Sequence, residues 1–162
     1  MDGILVALTF VTALGCGLSA GALFAFSSFV MRALARLPAP QGIAAMQSIN
    51  VQAVTPVFMT ALFGTGVACI AVSIWSLVDW HDSYSPWLLA GSALYLAGPV
   101  GVTMAYNVPR NDALAAAAPN SAEGAELWNR YVPEWTAGNH VRVAAGLAAA
   151  AALTEARFAS VE

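Results

Sequence analysis

Long runs of uncharged residues constrain this chain more than any other feature. The first extends from Ile4 to Met31, which is 28 residues without a charged side chain. A helix needs roughly 20 predominantly apolar residues to cross the hydrocarbon core of a bilayer, so this run is long enough to span it and to tilt. Three further stretches are also long enough and predict spans over residues 54–78, 87–106 and 139–158.

The composition is typical of a membrane protein. Of the 162 residues, 59% are hydrophobic and 9% are charged, whereas soluble domains carry roughly 25% charged residues. The formal net charge is −3, so there is no basic surface for a nucleic acid. We predict an all-α, polytopic membrane protein with the lipid bilayer as its partner. It forms a single domain over residues 1–162, a four-transmembrane-helix bundle with short interfacial helices on one face.

The segments between the spans carry boundary signals. Pro38 and Pro40 in LPAPQG form a turn after the first run. The apolar spacing over 43–54 predicts a short helix that either lies on the interface or leads into the second span. Pro99 predicts a kink within the third span. Before the fourth span, PNSAE predicts a helix start that is capped by Asn120 or Ser121.

Small residues in the first two runs predict close packing. Gly17 and Gly21 form a GxxxG step, which lets another helix approach closely. We interpret it as packing within the chain, and a homo- or hetero-oligomer through small-residue helix faces is the alternative. Cys16 and Cys69 lie within apolar runs and are interpreted as small buried hydrophobic side chains rather than as a disulfide or a metal site.

The distribution of arginine predicts the orientation. Two arginines follow the first span and two follow the third, whereas the loop after the second span contains aspartate and no basic residue. Because basic loops remain in the cytoplasm, we predict a multi-pass protein of the cell membrane with both termini outside. The four arginines are Arg32, Arg36, Arg110 and Arg130.

Polar side chains concentrate at one end of the predicted bundle. In a four-span chain, the end of span one, the start of span two, the end of span three and the start of span four share one membrane face. This asymmetry is typical of an active site or a binding mouth, although a hydrated loop surface also produces part of it. The residues on this face are Arg32, Gln47, Asn50, Asn107, Arg110, Asn111, Asn139, His140 and Arg142.

The segment WTAGNHVR, residues 135–142, carries the groups best suited to chemistry. His140 could act as a general base near neutral pH. Arg142 could stabilise a developing oxyanion while the nearby asparagines orient carbonyl or phenolic oxygens. The alternative is structural, with Asn139 as a helix N-cap and Arg142 snorkelling to the interface. The two histidines fall on opposite faces and no nucleotide-binding motif is present, so we predict neither a metal nor a cofactor.

Helical phasing predicts an aromatic stripe before this segment, provided that the helix continues past Pro133. By itself, such a stripe is more typical of an interfacial belt than of a binding cage. His140 points about 100° away from Asn139. The stripe consists of Trp128, Tyr131, Trp135, Asn139 and Arg142.

Three sequence patterns together resemble those of the anthrone oxygenase-like family. They are FAFSSFVMRALARLPAPQGIAAMQSIN, NVPRNDAL, and W-x6-WTAGNHVR followed by an alanine-rich run. The resemblance implies a small four-helix membrane protein. It also implies similarity to enzymes that convert polyketide anthrones to anthraquinones with dioxygen, without a metal or flavin. The matching positions are Asn50, Asn107, Asn111, Trp128, Trp135, Asn139, His140 and Arg142.

This resemblance gives the candidate residues expected roles. His140, Arg142 and Asn139 are expected to be catalytic, with His140 as the base that deprotonates an acidic anthrone methylene. The remaining matches are expected to bind substrate: Asn50, Asn107, Asn111, Trp128 and Trp135. Two positions depart from the family pattern, because Gly138 replaces a usual tryptophan and Arg110 replaces a usual aliphatic residue.

The predicted function is therefore a cofactor-independent, O2-dependent monooxygenase of a lipophilic, anthrone-like aromatic. A non-catalytic membrane subunit or a binding protein for a lipophilic ligand is the alternative. Both use the same fold, and the sequence leaves the choice between them open.

Overall fold

The structure is a computed structural model that describes residues 1–161. Residues in this range form five helices and no strand, which confirms the all-α class. Helix α1 is unbroken over Gly3–Ala35 and is followed by a shorter helix, α2. Helices α3 and α4 are joined by a tight turn, and α5 is the longest. The four further ranges are α2 Ala39–Gln52, α3 Pro56–Val78, α4 Ser85–Ala115 and α5 Ala122–Ala159.

Local capping explains where several helices begin. Asp2 accepts a hydrogen bond from the Leu5 backbone N–H at 2.8 Å and caps α1. Thr55 caps α3 in the same way, immediately before a proline at the first helical position. Ser121 accepts from the Gly124 N–H at 2.9 Å and caps α5. The prediction of a helix start at PNSAE is thus confirmed, with Ser121 as the cap.

Three of the five helices, α1, α3 and α4, are long and apolar enough to cross a membrane. The chain therefore has the character of a helical membrane protein, and three of the four predicted spans are confirmed at this level. Helix α5 does not meet the same criterion. Its apolar stretch carries Asn139, His140 and Arg142 near one end and Glu155 and Arg157 near the other.

Helix α5 lies alongside α1 and runs antiparallel to it. The Asn139 side chain donates to the Leu23 carbonyl oxygen at 2.7 Å. Towards the other end of α5, Leu153 and Arg157 border a groove with Val6 of α1. Small residues allow this close packing. A Cβ on Gly146 would lie 3.0 Å from the Ala20 Cβ, and Gly98 and Gly91 of α4 admit other α5 residues in the same way.

A buried tyrosine ties the apolar helices together. The Tyr95 hydroxyl of α4 donates to Ser19 Oγ of α1 at 2.9 Å and lies 3.0 Å from the Leu62 carbonyl oxygen of α3. Cys16 and Cys69 are free and buried in the same core. By contrast, a Cβ added to Gly17 or Gly21 would meet nothing within 4 Å, so the prediction that this GxxxG step packs within the chain is wrong.

Each of the three apolar helices contains a π-helical segment. In α1 it covers Phe26–Val30, in α3 Thr60–Gly64, and in α4 Leu96–Asn107. Pro99 lies within the third segment, so the helix rearranges its hydrogen bonds around the proline and continues to Ala115. π-Helical turns are rare and frequently occur at functional sites.

Helix α5 differs most from the sequence-based boundaries. It begins at Ala122 and passes through Pro133 without ending, whereas the predicted span begins near Asn139. Asn139 is therefore in mid-helix, and its interpretation as an N-cap is wrong. Helix α2 ends at Gln52 and a turn separates it from α3, so α2 is a separate short helix rather than an extension of the second span.

Candidate functional site

A cavity of about 190 Å³ lies where the ends of α1, α3 and α4 meet α2 and α5. It contains four of the predicted site residues, namely Asn50, Asn111, Trp135 and Arg142. All three π-helical segments contribute to its wall. The other lining residues are mainly apolar: Leu23, Phe26, Met46, Ile49, Ala53, Val54, Phe58, Met59, Leu62, Phe63, Thr103 and Val108. We call it the polar cavity, after its cluster of amide and guanidinium groups.

Arg142 is the charged group of the polar cavity. Its side chain is only 4% exposed. Nη1 donates to Thr103 Oγ1 at 3.1 Å and Nη2 donates to Asn139 Oδ1 at 2.7 Å, whereas Nε has no partner. Among residues 1–161 no carboxylate forms an ion pair with it. A buried cation without a counter-ion is costly, so the site is suited to an anionic or electron-rich oxygen.

The Arg142 guanidinium also contacts an aromatic face. Its central carbon lies 5.0 Å from the centre of the Trp135 ring, within the range of a cation–π interaction. Phe26 packs against the same indole with ring centres 5.7 Å apart. The cavity thus combines flat aromatic walls with one buried positive charge.

Asn111 is held in a single orientation. Its Oδ1 accepts from the Tyr131 hydroxyl and from Trp135 Nε1, both at 2.8 Å. Because an indole N–H can only donate, the oxygen of the amide is assigned without ambiguity. Burial raises the pKa of Tyr131, so its hydroxyl stays protonated and remains a donor. The Asn111 amide nitrogen is left for a ligand.

Asn50 provides a further donor. Its Nδ2 is buried and makes no hydrogen bond of normal geometry, although the side chain lies close to the Tyr131 hydroxyl. Arg142 Nε also has no hydrogen-bond partner among the described residues. Both residues line the cavity, but these two nitrogens have almost no accessible surface. A ligand with acceptor oxygens would reach them only if the two side chains turned towards the cavity.

Two other predicted residues lie behind the cavity wall. Asn139 is completely buried and joins Arg142 to α1, because its Nδ2 donates to the Leu23 carbonyl and to Ser27 Oγ at 2.7 Å each. Asn107 donates to the Trp135 carbonyl oxygen at 3.0 Å. These amides support Arg142 and Trp135 and do not line the cavity.

His140 lies outside the polar cavity. It is exposed, and it borders a separate open cleft of about 280 Å³ that also includes Arg32 and Pro133. Its Nδ1 is 2.9 Å from Ser27 Oγ. The structure therefore does not bring His140 and Arg142 into one pocket. The role of His140 as a base remains a prediction.

Trp128 is also remote from the cavity. It is 3% exposed and packs on Gly42 of α2, where a Cβ would come within 2.7 Å of the indole ring. Its ring stacks on Tyr131 at 5.6 Å, and Tyr131 stacks on Trp135 at 6.4 Å. The predicted stripe along one face of α5 is present, but these rings are buried in the protein, so they do not form an interfacial belt.

The two departures from the family pattern meet at one side chain. A Cβ on Gly138 would lie 2.5 Å from the Tyr106 ring, so Tyr106 occupies the space next to Gly138. The Arg110 guanidinium stacks on the Tyr106 ring, 3.5 Å from the ring centre, and Arg110 Nε pairs with Glu134 at 2.9 Å. Gly138 faces Tyr106 and Asn107 rather than the polar cavity.

Sequence reasoning missed Thr103 and Ser27, which complete the Arg142 network. Both are single hydroxyl residues in apolar runs, and no sequence pattern marks them. It also gave no role to Gln47, whose amide donates to the Leu114 and Ala117 carbonyls at the end of α4. Within residues 1–161 no three His, Cys, Asp or Glu side chains are grouped so that they could hold a metal.

The fold and the polar cavity together define a small helical protein of membrane character with a buried arginine at an aromatic-walled cavity. Residues 53–152 match the family model for anthrone oxygenase. Because this match covers more than half of the sequence, the chain belongs to that family. No curated protein and no solved structure matches it significantly.

Proposed function

We propose that the protein is an oxygenase that uses dioxygen to oxidise a flat, lipophilic, enolisable aromatic ketone of the anthrone type. The observation that carries this proposal is the buried Arg142, which has no carboxylate partner and lines an aromatic-walled cavity together with Asn50. Family membership supports the same chemistry.

The proposed reaction needs an anion next to a positive charge. An anthrone methylene loses a proton to a hydroxide ion from the solvent, which becomes water, and leaves an enolate whose charge resides largely on the ketone oxygen. Arg142, Asn50 and Asn111 would donate to that oxygen and to neighbouring phenolic oxygens, which lowers the cost of forming the anion. Overall, one CH2 group and one O2 give one carbonyl group and one water, so no further reductant is consumed.

Access to the cavity favours a lipophilic substrate. Its rim includes Val54, Phe58, Met59 and Val108, which are exposed or half-buried. At about 190 Å³ the cavity is smaller than the roughly 300 Å³ of typical ligand pockets. A three-ring molecule would therefore bind with its ketone edge at Arg142 and its far edge between these apolar side chains.

We further propose that α5 is a fourth membrane span. The 21 steps from Val6 to Ser27, along which α5 packs, rise about 31 Å, close to the roughly 30 Å of a hydrocarbon core. Asn139 and Arg142 face the interior and are hydrogen bonded, whereas Glu155 and Arg157 lie in the last turns. With four spans, arginine placement favours the cell membrane with the cavity end at the cytoplasmic face.

Oxygen uptake tests the proposed function. Detergent-purified protein is mixed with 1,8-dihydroxyanthrone, and oxygen consumption and quinone absorbance are followed. We expect turnover, reduced about 100-fold or more by Arg142→Gln, as when an oxyanion donor is removed. Arg157→Gln is the matched control, because Arg157 is an exposed arginine at the other end of α5. Equal rates for the two variants would contradict the role of Arg142.

A non-catalytic binding protein is the second candidate. The observation that favours it is that Arg142 is the one ionisable residue among those that line the cavity, so no carboxylate or imidazole base borders it. It predicts that 1,8-dihydroxyanthraquinone binds and quenches Trp135 fluorescence while the anthrone is not consumed. If the wild type binds the quinone without oxidising the anthrone, and Arg142→Gln does not bind the quinone, the protein is a binding protein rather than an oxygenase.

A further inference from the structure

A hydrogen-bonded chain connects the exposed His140 to the buried Arg142. His140 Nδ1 lies 2.9 Å from Ser27 Oγ, which in turn accepts from Asn139 Nδ2 at 2.7 Å. Asn139 Oδ1 accepts from Arg142 Nη2 at 2.7 Å. We propose that Ser27 is a positioning residue through which the protonation state of His140 controls Arg142. This inference rests on the proposed function of the polar cavity.

The chemistry of their ends fixes the direction of the bonds to Asn139. Its Nδ2 also donates to the Leu23 carbonyl, which can only accept, and Arg142 can only donate. The Asn139 amide therefore has one possible orientation, and both of its N–H groups are used. Ser27 Oγ accepts one of them and keeps its own hydrogen to donate. The proposal takes neutral His140 as the acceptor of that hydrogen at Nδ1, with its proton on Nε2.

Protonation of His140 conflicts with this arrangement. Nδ1 becomes a donor, so the Ser27 hydroxyl hydrogen must turn away from it, and Ser27 Oγ must accept from His140 as well as from Asn139. Two donors then share that oxygen, which weakens its hold on Asn139, and Asn139 in turn holds Arg142. The consequence is that acid conditions loosen Arg142 and weaken binding in the polar cavity.

The surroundings of His140 allow its charge to act on Ser27. In the open cleft, the charged neighbour from α1 is Arg32, whose own charge stays constant over this pH range. The neighbours from α5 in the same cleft are Val132, Pro133, Thr136 and Ala137, which do not titrate. Ser27 is 8% exposed, so the link between the cleft and the cavity is shielded from water.

The chain offers a matched control for Ser27. Ser28 is the next residue, and its hydroxyl donates to the Phe24 carbonyl at 2.7 Å without reaching α5. Ser27→Ala and Ser28→Ala therefore remove the same group from the same helix. One variant breaks the connection between His140 and Arg142, and the other leaves it intact.

The first test uses nitrogen NMR of histidine-labelled protein in detergent micelles. The chain has two histidines, so His81→Gln assigns the His140 signals. In the wild type we expect the His140 ring to be a single tautomer, with its proton on Nε2 and with Nδ1 accepting a hydrogen bond. In Ser27→Ala the two tautomers should interconvert, and in Ser28→Ala the spectrum should be that of the wild type. This readout needs no ligand.

The second test measures the affinity for 1,8-dihydroxyanthraquinone by tryptophan quenching between about pH 5 and 7.5, the range in which histidine titrates. We expect the wild-type affinity to fall about tenfold at the acid end, the effect of one hydrogen bond to a charged group. Ser27→Ala should bind more weakly at neutral pH and show a flat profile, whereas Ser28→Ala should follow the wild type.

The outcomes separate the two proposals. If the wild type neither binds the quinone nor oxidises the anthrone, the proposed function is wrong, and the NMR comparison still decides whether the chain of bonds exists. If the wild type binds the quinone but Ser27→Ala keeps the wild-type pH profile or the wild-type His140 spectrum, the positioning role of Ser27 is overturned.

Discussion

Tyr106 shows how a single side chain links two atypical positions. Its ring contacts both Gly138 and the Arg110 guanidinium. Gly138 allows the contact because it has no Cβ, and Arg110 covers a face of the ring while pairing with Glu134. The tryptophan expected at position 138 would have to occupy the space that Tyr106 fills, so the two departures belong to one local packing solution.

This packing predicts that Gly138→Ala destabilises the protein. The new Cβ would lie 2.5 Å from the Tyr106 ring and 2.8 Å from Asn107 Oδ1, and both groups are held by neighbouring contacts. Overpacking of this kind costs roughly 1–3 kcal/mol. We expect a lower unfolding temperature in detergent, measured by circular dichroism.

Gly17→Ala provides the comparison for that experiment. Gly17 also lies within a helix, but a Cβ there would meet nothing within 4 Å. Alanine is favoured over glycine in helices by about 1 kcal/mol, so this variant should be as stable as the wild type or more so. Equal destabilisation by both changes would mean that the contact with Tyr106 is not the cause.

At the level of single residues, the sequence predicted which residue types gather at one end of the bundle. It did not predict which of them line the cavity and which of them support its wall. Asn50 and Asn111 line the cavity, whereas Asn107 and Asn139 bind backbone carbonyls behind it. All four are asparagines at the same end of the bundle, and an amide serves either purpose equally well. The difference depends on rotations of the helices that no spacing in the sequence specifies.

At the level of elements, the π-helical segments place the cavity. Each apolar helix contributes wall residues from such a segment, including Phe26 of α1, Phe63 of α3 and Thr103 of α4. A π-helical turn inserts an extra residue, which changes the direction of the following side chains. In α4 the segment contains Pro99, whose ring removes a backbone donor and favours this rearrangement.

Pro99→Ala is therefore expected to weaken the site without unfolding the protein. Alanine permits ordinary α-helical bonds through this region, which would rotate Thr103 away from Arg142. The loss of one hydrogen bond to a charged group corresponds to about a tenfold lower affinity for 1,8-dihydroxyanthraquinone. Tryptophan quenching measures that affinity, and the unfolding temperature should not fall.

Pro133→Ala serves as the matched change. Pro133 also lies inside a helix, but it is exposed, it borders the His140 cleft, and it is not part of a π-helical segment. Here alanine restores a normal backbone donor, so the unfolding temperature should rise while ligand affinity stays unchanged. If both proline variants lost affinity alike, the position of Thr103 would not depend on the π-helical segment.

The chemistry of each helix explains whether the sequence predicted it. Apolar runs without charge predicted α1, α3 and α4 because hydrophobic length alone specifies a span. Pro133 did not end α5, since the preceding turn is held by packing of Trp128 on α2. The π-helical segments other than that at Pro99 left no trace in the sequence, because Phe26–Val30 and Thr60–Gly64 have ordinary helix-forming composition.

At the level of the whole molecule, the bundle is built around α5. This helix packs on α1 and α4 along its length and supplies Trp135, Asn139 and Arg142 to the site. It is also the least hydrophobic of the long helices, because the residues that build the site occupy its inner face. The polar residues of the site therefore lower the mean hydropathy of α5, so the helix does not qualify as a membrane span by length and hydropathy alone.

Cysteine labelling in intact cells tests whether α5 crosses the membrane. Single cysteines replace three exposed residues: Ser83 between α3 and α4, Ala118 between α4 and α5, and Val161 after α5. The native Cys16 and Cys69 are completely buried and are replaced by alanine in the background. With four spans, Ser83 and Val161 lie on one side and Ala118 on the other. With three spans, Val161 shares the side of Ala118.

We expect a membrane-impermeant maleimide to label Ser83→Cys and Val161→Cys in intact cells, and to label Ala118→Cys only after permeabilisation. The physical reason is that α5 packs antiparallel to α1 and is hydrogen bonded to it through Asn139, so we expect the helix to cross beside α1 rather than lie on the surface. The four-span arrangement would be contradicted if Val161→Cys and Ala118→Cys were labelled under the same conditions while Ser83→Cys was labelled under the opposite ones. Reversal of all three signals would keep the four spans and place both termini in the cytoplasm instead.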